Sequence, residues 1–191
     1  MPKISAPTVV EHHARTRATL LTAATDILVA DGAQAVTPAS VGARAGLARS
    51  SVYQYFSSTG EILAAVVEAA FPPATARLNS AVADAGSPSD AVDAYVVTAL
   101  ELAREGSHAA VRALSNVRLP DECQTRLTEL HIEQARPLLD SLKTLGVADP
   151  ELLGQLIGGV LGAGMAAIDG GTDFARVESS VLSAVHALCK L

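Results

Sequence analysis

The chain has 191 residues, 49% of them hydrophobic and only 18% charged, a balance that folds around a core and excludes intrinsic disorder. Aromatics are scarce, with three Tyr, three Phe and no Trp, so the apolar load rests on Ala, Leu and Val. That load favours closely packed helices, and the alternating β-branched runs that a sandwich or barrel needs are missing. The formal charge of −6, taken alone, argues against nucleic acid. Its distribution argues otherwise: residues 1–60 hold five bases (Lys3, Arg15, Arg17, Arg44, Arg49) against three acids, and the remainder holds nine bases and seventeen acids. A mildly basic head on an acidic body can bind a polyanion at its contacting face.

In chain order, residues 1–10 read as a flexible arm. A helical stripe of Leu20, Ala24, Ile27 and Leu28 follows from Glu11, and Asp31-Gly32 closes it. Thr37 is placed to cap a second helix with Pro38 at its first position, running to Ala45 and ending at Gly46. A third helix is expected over Arg49–Phe56. Ser58 with Glu61 three residues on has capping-box spacing, and Ile62, Leu63 and Val66 form the face of a fourth helix. Phe71-Pro72-Pro73 is expected to interrupt or end it and to mark the domain junction.

Helices are then expected at 74–85 and 89–105, and a short one from Ser107 to Asn116. A long segment from Pro120 carries Leu127, Leu130, Leu138, Leu142 and Leu145, with Pro137 expected to kink or divide it. Asp149-Pro150 opens a helix to Ile168, Gly170-Gly171 breaks the chain, and Phe174, Val177, Val181, Val185 and Leu188 stripe the last helix. The fold class is therefore all-α, with about nine helices. The chain divides into a flexible arm at 1–10, a compact helical unit at 11–56, a connecting helix at 57–73 and a larger helical domain at 74–191.

The informative stretch is Thr37–Phe56. Val41 and Ala45 would pack the second helix inward, Gly46 supplies the bend, and Leu47 and Val52 reach back to the core. A positioning helix, a short Gly turn and a helix with a free side is what a helix-turn-helix needs. Arg49, Ser50, Ser51 and Gln54 would lie toward DNA, Arg suited to guanine, Gln to adenine and hydroxyls to phosphate or base. A generic helix–Gly–helix corner explains the same spacing structurally.

Residues 15–67 resemble the DNA-binding domain of the tetracycline-repressor (TetR) family. The resemblance rests on Ala24, Gly32, Thr37, Val41, Ala45-Gly46-Leu47, Val52-Tyr53, Tyr55-Phe56 and Leu63 in the family's order. It implies that Tyr53 and Thr37 touch phosphates and that Tyr55 and Phe56 lock the recognition helix. Thr59 stands where the family's usual run has a phosphate-approaching Lys. Plain core packing accounts for Tyr55 and Phe56 equally, and the Tyr53 ring can pack while its hydroxyl stays wet. Arg15 and Arg17 read either as solvated charges or as backbone or minor-groove contacts.

The family also implies a homodimer on double-stranded DNA, released from an inverted-repeat operator by a small-molecule effector. Gly154, Gly158 and Gly162, four residues apart, would let this helix be approached closely, within the subunit or across a dimer. Leu156, Val160, Val177, Val181 and Val185 would add apolar area to that dimer interface. Tyr95, His108, Asn116, His131 and Gln134 are the polar groups that could orient an effector among the central helices. Without Trp an aromatic cage for a cation is disfavoured, and a fairly apolar or neutral ligand is preferred.

No enzyme is expected: His-Glu-x-x-His, Gly-x-Ser-x-Gly and a phosphate loop ending in Lys-Ser/Thr are absent. Neither a cofactor nor a metal is called for, since adjacent His12-His13 do not share a helix face. Cys123 and Cys189 suit reduced thiols in a cytoplasmic protein, and the N-terminus lacks a signal peptide's apolar stretch. Leu152–Ile168 is read as a buried helix rather than a membrane span. The runner-up function is a helical protein-binding adaptor without DNA activity.

Overall fold

The computed structural model describes residues 6–114 and 121–190. Nine α-helices account for nearly all of them: α1 Ala6–Asp31, α2 Pro38–Ala45, α3 Arg49–Val52, α4 Thr59–Ala83, α5 Pro88–Arg104, α6 Ala109–Leu114, α7 Asp121–Thr144, α8 Pro150–Asp169 and α9 Phe174–Cys189. A short 3-10 turn at Ala33–Ala35 joins α1 to α2. The all-α class is as the sequence patterning implies.

Contacts divide the chain into one unit of Met1–Ala69 with Ala109–Leu127 and a second of Ala70–His108 with Thr128–Leu191. In the first, α1 buries Leu20, Ala23, Ala24, Ile27 and Leu28. Val36, Val41, Val52, Phe56, Ile62 and Val66 are buried with them, most at 2% exposure or less. Fully burying a side chain of this size contributes about 1.5–3 kcal/mol, so one small cluster suffices to fix the short helices. In the second unit, Val92, Val96 and Leu100 of α5, Leu138 and Leu142 of α7, Ile157 and Leu161 of α8, and Val177, Val181 and Val185 of α9 form one core. Gly164 permits it: a Cβ there would lie 2.8 Å from Val181 Cγ2 and 3.2 Å from Leu100 Cδ2.

Several sequence expectations are corrected. Residues 6–10 are helical, part of α1 rather than of an arm. The Pro72-Pro73 pair does not end the fourth helix, which runs unbroken to Ala83. The two prolines leave the carbonyls of Glu68 and Ala69 without helical donors, but those residues and both prolines are exposed, so water can take the missing bonds. Pro137 likewise does not divide α7, of the two outcomes expected for it, and Glu133, the residue four back, is exposed. The division at Ala69/Ala70 precedes the expected junction at the prolines, and Ala109–Leu127 clusters with the N-terminal helices.

By length and composition α8 is the one described helix apolar enough to cross a membrane. It packs on α5 and α9 through Ile157, Leu161 and Gly164. Only 17% of its most apolar window is buried, so the expectation of a buried helix holds for one face alone.

Candidate DNA-binding surface

The first helix of the helix-turn-helix is fixed by a side-chain cap at its start and by backbone bonds at its turn. The Thr37 hydroxyl accepts from Ser40 N at 3.1 Å and Ser40 Oγ accepts from Thr37 N at 2.9 Å, a reciprocal cap that starts α2. A side-chain cap of this kind is worth about 1 kcal/mol. At the other end Gly46 is left-handed (φ 70°), and Leu47 N donates to Gly42 O at 2.8 Å. Val41 is fully buried as expected, while Ala45 and Leu47 are half-buried.

Ala48 gives α3 no side-chain cap, as its methyl dictates, and α3 is a single turn. It is shorter than the expected Arg49–Phe56. The chain continues as a tight turn in which Gln54 N donates to Ser51 O, and Tyr55 N and Phe56 N to Val52 O. Val52 and Phe56 anchor this segment, at 0% and 1% exposure. On its free side Arg49, Ser50, Tyr53 and Gln54 are exposed and Ser51 is half-buried.

Arg49 Nη2 donates to the Tyr53 hydroxyl at 3.0 Å, and its guanidinium carbon lies 5.5 Å from the centre of that ring. The bond to the phenol pushes the Arg49 pKa further up, on a guanidinium that is a cation in any case. The Tyr53 phenol is thereby half committed to a neighbour, at spacing i, i+4 along the chain. Sequence reading placed both residues but not the pair, although their spacing was the available signal.

Arg15 and Arg17 are exposed on α1. Arg17 lies over the Phe56 ring at 5.3 Å, and His13, one turn earlier, stacks on Tyr55 with ring centres 4.4 Å apart. His13 was not among the expected site residues. Thr59 begins α4 and is half-buried. Beside it Ser57 N and Oγ donate to Glu61 Oε2 at 2.6 and 2.8 Å, and Ser58 Oγ accepts from Glu61 N at 3.1 Å. The expected capping box therefore forms with its return bond on Ser57 rather than Ser58. Those bonds from Ser57 hold the Glu61 carboxyl below the usual carboxylate range.

In the second unit the expected effector residues are scattered. Tyr95 is buried, its hydroxyl donates to the backbone carbonyl of Gln134 at 3.4 Å, and burial pushes its pKa up to about 12. His108 is half-buried with Nε2 3.6 Å from Asp169 Oδ2, and His131 stands edge-on to Phe71 on the exposed side of α7. Asn116 lies outside the described residues. A groove of about 840 Å³ is lined by Asn79, Ser87, Glu133, Arg136, Asp140 and Thr144 among others, and by none of the expected residues. Among the described residues no group of three or more His, Cys, Asp or Glu is arranged to hold a metal ion.

The expected dimer residues separate into two sets. Val177, Val181 and Val185 belong to the subunit's own core, which corrects their assignment to an interface. Gly154 is also used internally, since a Cβ there would lie 2.6 Å from Leu139 Cδ2. A Cβ at Gly158, Gly159 or Gly162 would meet nothing within 4 Å, and Leu152 and Leu156 are about half exposed at 52% and 47%. Val160 is half-buried.

Residues 20–66 match the family model of bacterial regulatory proteins of the tetR family. No curated protein matches the chain. Among solved structures, the chain is similar to a TetR-family transcriptional regulator from Streptomyces coelicolor (20% identity, 93% of this chain and 95% of that one, TM-score 0.79). It is similar also to the regulator FadR from Bacillus subtilis in complex with stearoyl-CoA (18% identity, 88% and 96%, TM-score 0.76). A third is the superantigen PfiT (21% identity, 89% and 95%, TM-score 0.77). At these identities the likeness is one of fold.

Proposed function

We propose that this chain, a member of the TetR family of DNA-binding transcriptional regulators by its N-terminal domain, is a homodimeric repressor acting on an inverted-repeat operator. The observation that carries this reading is the exposed row of Arg49, Ser50, Tyr53 and Gln54 on a segment whose opposite side, Val52 and Phe56, is locked in the core. Arg49 would read guanine, Gln54 adenine, and Thr37, Ser50, Ser51, Tyr53 and Thr59 would hold phosphates or bases. Arg15 and Arg17 would add backbone or minor-groove contacts. The family is one of bacterial regulatory proteins rather than enzymes.

One turn of helix makes few contacts, and a two-fold dimer doubles them. The side of α8 left open supports pairing: Leu152, Leu156, Gly158, Gly159 and Gly162 are exposed and uncharged, a surface that two backbones can share. A small, fairly apolar effector would release the dimer by binding better to the state whose recognition helices are wrongly spaced. The acyl-CoA complex of FadR lends support, because a similar fold there accepts a ligand with a long apolar chain. Such a regulator would work in the cytoplasm, at the nucleoid. The adaptor reading keeps one observation in its favour, namely that the same fold serves a superantigen.

Sedimentation tests the dimer and footprinting tests the DNA contact. The expected mass is twice 19.5 kDa, with a protected site on duplex DNA that weakens steeply as salt rises. A monomer at micromolar concentration, or binding that Arg49→Ala leaves untouched, contradicts the proposal.

A further inference from the structure

The residues facing DNA sit on very little secondary structure. One turn of helix does not hold itself in water, because fixing the first turn costs more than its bonds return. Val52 and Phe56 fix the two ends of the segment from the core side. Between them Tyr53 and Gln54 are exposed, and Tyr55 is only half-buried, so burial alone leaves its ring direction open. The ring that meets it comes from α1: His13, with centres 4.4 Å apart and planes tilted by 33°. One turn further along the same face, Arg17 lies over Phe56.

From Val9 to Thr19 every residue is exposed except Thr16, which is half-buried. Among the described residues, the ring contacts this stretch makes outside its own helix are those of His13 and Arg17. A stretch as exposed as Val9–Thr19 gains little order from its own propensity, so its contacts with the α3 segment are a source of it.

We infer that His13 is a positioning residue for DNA reading: its ring, stacked on Tyr55, sets the direction in which Tyr53 and Gln54 are presented. His13 touches no base in this account and acts through Tyr55. The inference rests on the proposed role of α3 in binding DNA, and the geometry it concerns exists without DNA. An aromatic pair of this kind is worth about a two- to tenfold change in an equilibrium.

Two readouts on the full chain test it. In the free protein, hydrogen exchange at the Gln54, Tyr55 and Phe56 amides should quicken about two- to tenfold in His13→Ala and return to normal in His13→Phe. With a selected operator duplex, His13→Ala should weaken binding by a similar factor without changing its salt slope, and His13→Phe should restore it while His13→Lys does not. Circular dichroism and melting temperature confirm that each variant folds. A Tyr55→Leu background should abolish the effect of His13→Ala on both readouts. If Lys restores binding and Phe does not, His13 meets phosphate directly and the inference falls. Unchanged exchange in His13→Ala overturns it too. If no operator is found, exchange still decides the matter, so failure of the DNA reading is distinguishable from failure of this one.

Discussion

A methyl group added at Gly42 would lie 2.9 Å from the Leu47 carbonyl oxygen and 3.1 Å from Val52 Cγ2. From sequence alone Gly42 is merely a weak helix residue, and alanine there should help by about 1 kcal/mol. The structure reverses that sign, since the turn carrying α3 is packed onto the bare backbone of α2. Gly42→Ala is therefore expected to lower the melting temperature and loosen the turn; a higher melting temperature would contradict the close approach. Tyr95 gives a second test. Its folded pKa is raised from about 10 to about 12 by burial, so its contribution to stability is complete below about pH 10 and is lost as pH rises through 12. Stability should fall in that window, and Tyr95→Phe should make the fall shallower. At this scale the caps at Thr37, Ser58 and Asp149 were legible, because each depends on neighbours within three residues. The His13–Tyr55 stack was not, since it joins residues 42 positions apart that no local spacing connects.

Among the elements, α4 shows where local rules give way. Its sequence carries two consecutive prolines, which read as a stop, yet the helix continues to Ala83 because Phe71 and Leu78 on the same helix are buried. Tertiary packing outweighs a cost of about 3 kcal/mol for an interior proline. Replacing both with alanine should restore the missing bonds and raise the thermal midpoint; no change or a fall would mean that the prolines relieve strain. The glycines of α8 teach a related lesson. Their four-residue spacing was visible, but which of them faces the subunit was not: Gly154 and Gly164 pack inward, while Gly158, Gly159 and Gly162 face open space. A helix stripe gives period without phase when Gly, Ala and Leu occur on every side. The same ambiguity placed Val177, Val181 and Val185 at an interface when they close the core.

For the molecule as a whole, the all-α class and the likeness to the tetR family model were readable, the latter because its signals are concentrated in about fifty consecutive residues, 20–66 in the match. The proposed effector pocket was not, since a pocket depends on how helices distant in sequence leave space between them. Dimerisation can be tested at the open side of α8. Gly158→Ala and Gly162→Ala meet nothing in the subunit, so in an isolated chain each should add about 1 kcal/mol of helix stability. In a dimer with touching backbones they should instead weaken association by sedimentation, and unaltered association would place the interface elsewhere. Two exposed α3 segments are proposed to read one duplex together, and selection of bound duplexes from a random pool by the purified protein tests this. The expected product is an inverted repeat whose half-sites lie about one helical turn apart, with Arg49→Ala relaxing one base position in each half. Recovery of no enriched sequence, or of a lone half-site bound by a monomer, would contradict it.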